Sequence, residues 1–136
     1  MQAKLKNILG LVALGVALLT TTVPTWAGQV ITGGEVSIYI GSDHSSAGGT
    51  MVGARYSADN KQYIECTTYL STTIWVPLIQ CYAQDKAGQH ILCSSRDPKF
   101  QETLQAMTDS SYISFQADSK GACTDIGISH GSNLLK

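Results

Sequence analysis

This chain has no cluster of lysine and arginine, no closely spaced cysteine or histidine pair and no continuous apolar run of membrane length. Beyond Lys4 and Lys6 its basic residues are scattered singly: Arg55, Lys61, Lys86, Arg96, Lys99, Lys120 and Lys136. Nucleic acids and anionic membranes need clustered cations, so neither is an expected partner. The cysteines stand 15, 12 and 30 positions apart. None forms the C-x₂-C or H-x₃-H pair that zinc sites use, and His44, His90 and His130 are far apart. No metal and no cofactor is expected. No G-x-S-x-G elbow is present. Gly33-Gly34 and Gly48-Gly49 lack, on this reading, the strand-to-helix context that makes a glycine loop bind phosphate. Asp43-His44-Ser45-Ser46 has the residue types of a nucleophilic triad. A triad needs Ser to meet His and His to meet Asp, whereas adjacent residues of an extended loop point apart. No catalytic residue is assigned, and residues 41–50 (GSDHSSAGGT) read as a polar loop.

What the chain does have begins at its N-terminus. Lys4 and Lys6 precede about twelve unbroken apolar residues, 8–19, too few for the roughly 20 of a membrane span. Three threonines, Pro24 and Thr25-Trp26-Ala27 follow. That order is a secretory signal peptide over residues 1–27, with cleavage freeing Gly28. Residues 28–136 then form one disulfide-bonded, β-rich domain with seven basic against ten acidic residues, a net charge of about −3. No membrane span is expected after processing, and the location is secreted or periplasmic.

Export places Cys66, Cys81, Cys93 and Cys123 in an oxidising compartment, where two disulfides are the expected state. Turn geometry gives a bias among the three pairings. Asp85-Lys86-Ala87-Gly88 and Asp118-Ser119-Lys120-Gly121 share one pattern: Asp accepts local amides and Gly supplies the left-handed position of a three-residue hairpin loop. Counting back from the first turn sets Cys81 opposite Cys93 at a hydrogen-bonded ladder pair, where side chains lie too far apart for a good bridge. That leaves two pairings open, and the one expected is Cys66–Cys81 joining two strands with Cys93–Cys123 tying the helix entry to the last hairpin, each closure worth roughly 3 kcal/mol.

Period-2 alternation gives strands around Val36, Ile38 and Ile40, around residues 51–56, and over residues 62–70. In the last, Ile64, Cys66, Thr68 and Leu70 share one face and Tyr63, Glu65, Thr67 and Tyr69 the other. Asp59-Asn60-Lys61 is a turn. Pro77 lies in the apolar run 74–83, so that strand should be an edge or begin after it. Asp97, Pro98, Phe100, Leu104 and Met107 mark one helix over about residues 97–109. The fold class is α+β: a small antiparallel sheet domain with that helix on one face and two disulfides.

Paired carboxylates at Glu35, Glu65, Asp97 or Glu102 read as solvated surface. Tyrosine is the feature left over. Tyr63 and Tyr69 share a polar strand face and Tyr56 sits nearby, so these three are the candidate ligand-binding residues, since tyrosine gives large contact area at low entropy cost.

The segments Gln62-Tyr63-Ile64-x-Cys66, Cys81-Tyr82-Ala83, Gly88, Cys93, Ser111-Tyr112-Ile113-x-Phe115 and Gly121-x-Cys123 resemble a group of small exported bacterial proteins, over about residues 55–132. That resemblance implies two disulfides and bacterial export, and brings no activity with it. Gly53-Ala54-Arg55-Tyr56 resembles part of the Ser-Gly-x-x-Tyr loop of periplasmic lysozyme inhibitors, with Val52 at the serine position.

The expected function is an exported, non-enzymatic module binding a protein or carbohydrate partner outside the cytoplasm. A lysozyme-type hydrolase inhibitor and a small secreted hydrolase are the alternatives. Exported material should begin at Gly28 by intact mass, and protein retaining residues 1–27 would overturn the leader.

Overall fold

A computed structural model describes residues 35–71, 73–131 and 134. The expected signal peptide lies outside the described residues. The elements run β1 (Ser37–Ile40), β2 (His44–Thr50), α1 (Met51–Arg55), β3 (Tyr63–Ser71), β4 (Ile74–Gln84), β5 (His90–Ser95), α2 (Pro98–Leu104), β6 (Tyr112–Asp118) and β7 (Cys123–Ser129). They form two antiparallel sheets, ordered β1-β2-β6-β7 and β3-β4-β5. The domain is thus β-rich α+β as expected, with two sheets where one was foreseen. The sheets meet at one parallel bridge, Ser94 to Ala122, where the Ser94 amide donates to the Gly121 carbonyl at 2.9 Å.

Two hairpins carry the turn chemistry read from the sequence. The Asp85 and Asp118 carbonyls accept from the Gly88 and Gly121 amides at 3.0 Å, and both glycines have positive φ, 86° and 80°. Asp118 Oδ1 also accepts from the amides of Lys120 and Ala122 at 2.8 Å. Those amides hold its carboxyl below the usual carboxylate range, the Ala122 amide contributing most. Between these turns, alternation buries Ile79, Cys81 and Ala83 of β4, Ile91 and Cys93 of β5, and Ile113, Phe115 and Ala117 of β6. Inward faces of both sheets share that core.

Four expectations are corrected. Residues 51–55 form helix α1, not a strand: Thr50 Oγ1 caps it by accepting from the Gly53 amide at 2.9 Å, and Ala54 is buried. The glycine-serine segment is not a loop but β2, paired with both β1 and β6. Its small residues serve packing, since a Cβ on Gly48 would collide with the Tyr112 phenol and one on Gly49 would press on Val36. Gly48-Gly49 does therefore lie on a strand that runs into a helix. Its backbone, however, is inside the sheet, and the α1 N-cap is filled by Thr50.

The helix expected over residues 97–109 stops at Leu104. Asp97 caps it as foreseen, accepting from the Lys99 amide at 2.9 Å. Past Leu104 the polar side chains take over, with Ser111 Oγ accepting from the Thr108 amide at 2.8 Å. Finally, β4 starts before Pro77 and is the centre of its sheet. The proline is tolerated because β5 pairs only from Ile79 onward, so near Pro77 the strand has β3 alone as neighbour.

The disulfides are Cys66–Cys81 and Cys93–Cys123. Cys66 lies directly opposite Cys81, and Cys81 directly opposite Cys93. The Cα separation of 4.1 Å marks Cys66–Cys81 as a close, non-hydrogen-bonded pair, which turns the Cys81 amide and carbonyl toward β5. Cys81 and Cys93 are therefore the wide pair, as turn counting requires. Cys93–Cys123 joins the two sheets across a separation of 30 residues, against 15 for Cys66–Cys81 within one hairpin. Replacing Cys93 and Cys123 by alanine should cost about 3–5 kcal/mol, more than the same change at Cys66 and Cys81, by urea denaturation. An equal or smaller loss would mean the sheets do not rely on that link.

Candidate functional site

The outer face of the three-stranded sheet is set by the alternation that buries Ile64, Cys66, Ile79, Cys81, Ile91 and Cys93 on the other side. Register places Tyr63, Gln84 and His90 in one row across β3, β4 and β5, and Glu65, Tyr82 and Leu92 in the next. Tyr69 lies opposite Leu78 further along. Three large side chains on this face stay open to solvent: Tyr63 at 44%, Tyr69 at 55% and Leu92 at 51% exposure. Aromatic contacts brace Tyr63 among them. Tyr63 and Tyr82 rings are tilted with centroids 5.7 Å apart, and Tyr82 stacks on His90 at 6.2 Å. The Tyr82 hydroxyl donates to Gln84 Oε1 at 3.2 Å, and Gln84 Nε2 donates to the Lys61 carbonyl at 3.1 Å. Leu70 was expected to face the core; it has inward parity yet is 73% exposed, the cover on that face of β3 reaching only to Cys66.

Tyr56 follows α1 and is 69% exposed. It shares with Tyr63, Glu65, Arg55 and Asp109 an open depression of about 740 Å³ between α1 and β3. Of the three tyrosines singled out from the sequence, the fold brings Tyr56 and Tyr63 to one depression. Tyr69 stands six residues along β3, about 20 Å of strand away, on the same face as Tyr63. Tyr82, His90 and Leu92 were missed. The Leu78–Gln84 and His90–Ser94 flanks carry their parity in sequence, but which row they share with Tyr63 depends on the β3–β4 register, which no turn count supplied.

Partial burial is the first cause, and hydrogen bonding to Glu65 the second, that pushes the Tyr63 phenol up to about 12. Burial disfavours the phenolate, and the carboxylate adds to that. Tyr63 should thus be among the last tyrosines to ionise in an ultraviolet titration. Because the folded value lies above the unfolded one, its contribution to stability is complete below pH 10 and is lost as pH rises toward 12. Glu65→Gln should lower the Tyr63 midpoint without restoring it fully, since burial persists. An unchanged midpoint would remove Glu65 from the account.

Asp43 and His44 do meet, contrary to the expectation from an extended loop: Asp43 Oδ1 lies 3.3 Å from His44 Nδ1, and the His44 ring lies 5.6 Å from that of Tyr39. His44, first by its hydrogen bond, holds the Asp43 carboxyl below its usual range. Among the described residues no serine hydroxyl bonds His44. A second contact was not foreseen: Ser111 Oγ lies 3.2 Å from His130 Nδ1. Ser111 is completely buried and also bonds the Thr108 amide and hydroxyl, so this pair anchors the chain past β7 to the α2–β6 connection. Sulfurs of Cys81, Cys93 and Cys123 lie within 4.8 Å of one another. As disulfide sulfurs they offer no thiolate to a metal.

Gly53-Ala54-Arg55-Tyr56 lies on α1 and its C-cap, not on a loop. No helix among the described residues is long and apolar enough to cross a membrane. Comparison with known protein families, with curated proteins and with solved structures finds no match to this chain.

Proposed function

We propose that this is an exported, non-enzymatic binding module that engages a protein or carbohydrate partner outside the cytoplasm through the tyrosine face of its three-stranded sheet. The observation that carries the reading is the exposure of Tyr63, Tyr69 and Leu92 on one face of a sheet whose other face supplies the core. A ring held by neighbouring rings, as Tyr63 is, loses little rotamer freedom on binding, and aromatic anchors dominate interface energies. Two disulfides in a small domain support an oxidising, extracytoplasmic location. A small secreted hydrolase would need an accessible nucleophile beside its base. In the Ser111–His130 pair the histidine is exposed but the serine is completely buried and bonded to Thr108, so its hydroxyl is not open to a substrate, which favours binding over hydrolysis.

The test is capture of a partner from the protein's own extracytoplasmic milieu. Tyr63→Ala combined with Tyr69→Ala should abolish capture and leave the melting temperature within a few degrees. Deleting residues 42–49 would remove β2 from the four-stranded sheet and so cannot serve as a control. Asp43→Ala with His44→Ala is the fitting control and should change neither property. If the tyrosine variant unfolds, Tyr63 and Tyr69 are structural and the reading fails.

A further inference from the structure

We infer that this protein pairs with a second copy of itself through the open edge of β3, joining the two three-stranded sheets into one of six strands. β3 is nine residues long, stands at the edge of its sheet and pairs only with β4. Edge strands are normally blunted by proline, lysine or shortness. β3, Tyr63-Ile64-Glu65-Cys66-Thr67-Thr68-Tyr69-Leu70-Ser71, has none of these, and its one register shift falls at the far end, between Tyr69 and Ser71. Which backbone groups are open follows from Cys66. It forms a close, non-hydrogen-bonded pair with Cys81, so the amides and carbonyls of Ile64, Cys66 and Thr68 point away from β4. Among the described residues none of these three makes a backbone hydrogen bond outside the β3–β4 ladder. Donors and acceptors alternating along an extended edge are satisfied by another strand.

The sequence of β3 favours a copy of itself. Antiparallel self-pairing is isologous, so each centre fixes every opposing pair. Centred on Cys66, Tyr63 meets Tyr69 of the second copy, Ile64 meets Thr68, Glu65 meets Thr67, and Gln62 meets Leu70. Each outer end then carries an aromatic cross-strand pair, and the two Glu65 carboxylates stay apart. Centring on Glu65 would set those like charges face to face. A centre at Thr67 would set Tyr63 opposite Ser71 and Glu65 opposite Tyr69, losing both aromatic pairs.

Space and burial agree with this register. The depression beside α1 is lined from both faces of the chain entering β3, by Gln62 and Ile64 from one and Tyr63 and Glu65 from the other, so it runs along the strand's open edge. Met51 and Val52 close its far wall. In the Cys66-centred pairing, Leu70 of the second copy arrives opposite Gln62 with its side chain on the Ile64 side, toward Met51 and Val52. That supplies the apolar cover that Leu70, of inward parity but exposed, lacks in a single copy. The arrangement extends the tyrosine face across both copies without covering it.

The oxidised protein, expressed with its own leader and recovered after export, should sediment as a monomer–dimer equilibrium. Leu70→Asp puts charge into the depression, and Thr68→Pro removes an edge amide that β4 does not use. Each should weaken the dimer by roughly tenfold or more, whereas Leu92→Asp on β5 should leave it intact. A photoreactive residue at position 67 should crosslink to the Glu65 region of the second copy. A protein that stays monomeric into the millimolar range overturns the inference. So does a dimer that tolerates both variants or crosslinks elsewhere. Should Thr68→Pro lose its fold, Leu70→Asp and the crosslink still decide. Leu70 lies off the tyrosine face, so Leu70→Asp separates loss of pairing from loss of partner capture.

Discussion

The two disulfides form a continuous line across the molecule, from Cys66 on β3 through Cys81 on β4 and Cys93 on β5 to Cys123 on β7. Each segment of that line does a different job. Cys66–Cys81 is a bridge inside one hairpin. The step from Cys81 to Cys93 is an ordinary ladder pair, packed at sulfur distance. Cys93–Cys123 leaves the sheet and seizes the first residue of β7 in the other. Near the crossing, the only backbone pairing between the sheets among the described residues is the bridge of Ser94 to Ala122. A domain of this size buries only some 60–70% of its unfolded surface, and here the sheets share side chains but almost no hydrogen bonds. The covalent link therefore sets how the two inner faces oppose each other.

Part of that pairing was legible before any coordinates. The Asp85-x-x-Gly88 turn fixes the register of Cys81 against Cys93 and makes them a wide ladder pair, which cannot bridge comfortably. That removes one of three pairings, and the choice between the other two depends on the β3–β4 register, which brings Cys66 opposite Cys81. Alternation did the rest for Val36 and Ile64, which are buried, whereas Ile40, on the same period as Val36, is 53% exposed.

The failures have equally local causes. β2 has almost no side chain with which to announce a strand; its identity comes from neighbours, because Tyr112 lies over Gly48 and Val36 packs on Gly49. Glycine there means close approach and not flexibility. α1 was hidden for the opposite reason, since Met51 and Val52 suit a strand until Thr50 caps the turn. Asp43 and His44 meet because the β1–β2 turn is tight, with the Gly41 amide donating to the His44 carbonyl at 2.9 Å. The candidate site was half visible. Parity put Tyr63 and Tyr69 on one wet face, whereas Tyr82 and His90 join them only through pairing.

Leu70 shows where parity stops being informative. A strand alternates by geometry, but a side chain is buried only if something lies opposite it. Along β3 burial stops at Cys66: Thr68 and Leu70 keep inward parity but lack the cover that Ile64 enjoys, although Ile79 opposite Thr68 is fully buried. The same stretch has backbone groups turned outward with no ladder to receive them. An uncovered leucine and an unpaired edge in one segment are two aspects of a single condition, a strand that pairs with β4 along its whole length while its inner face is covered only as far as Cys66. Natural sheets usually suppress that condition with proline or lysine. Here the residues on the strand are tyrosine, threonine and leucine, all of which gain from meeting another strand, and one glutamate placed off the symmetry centre.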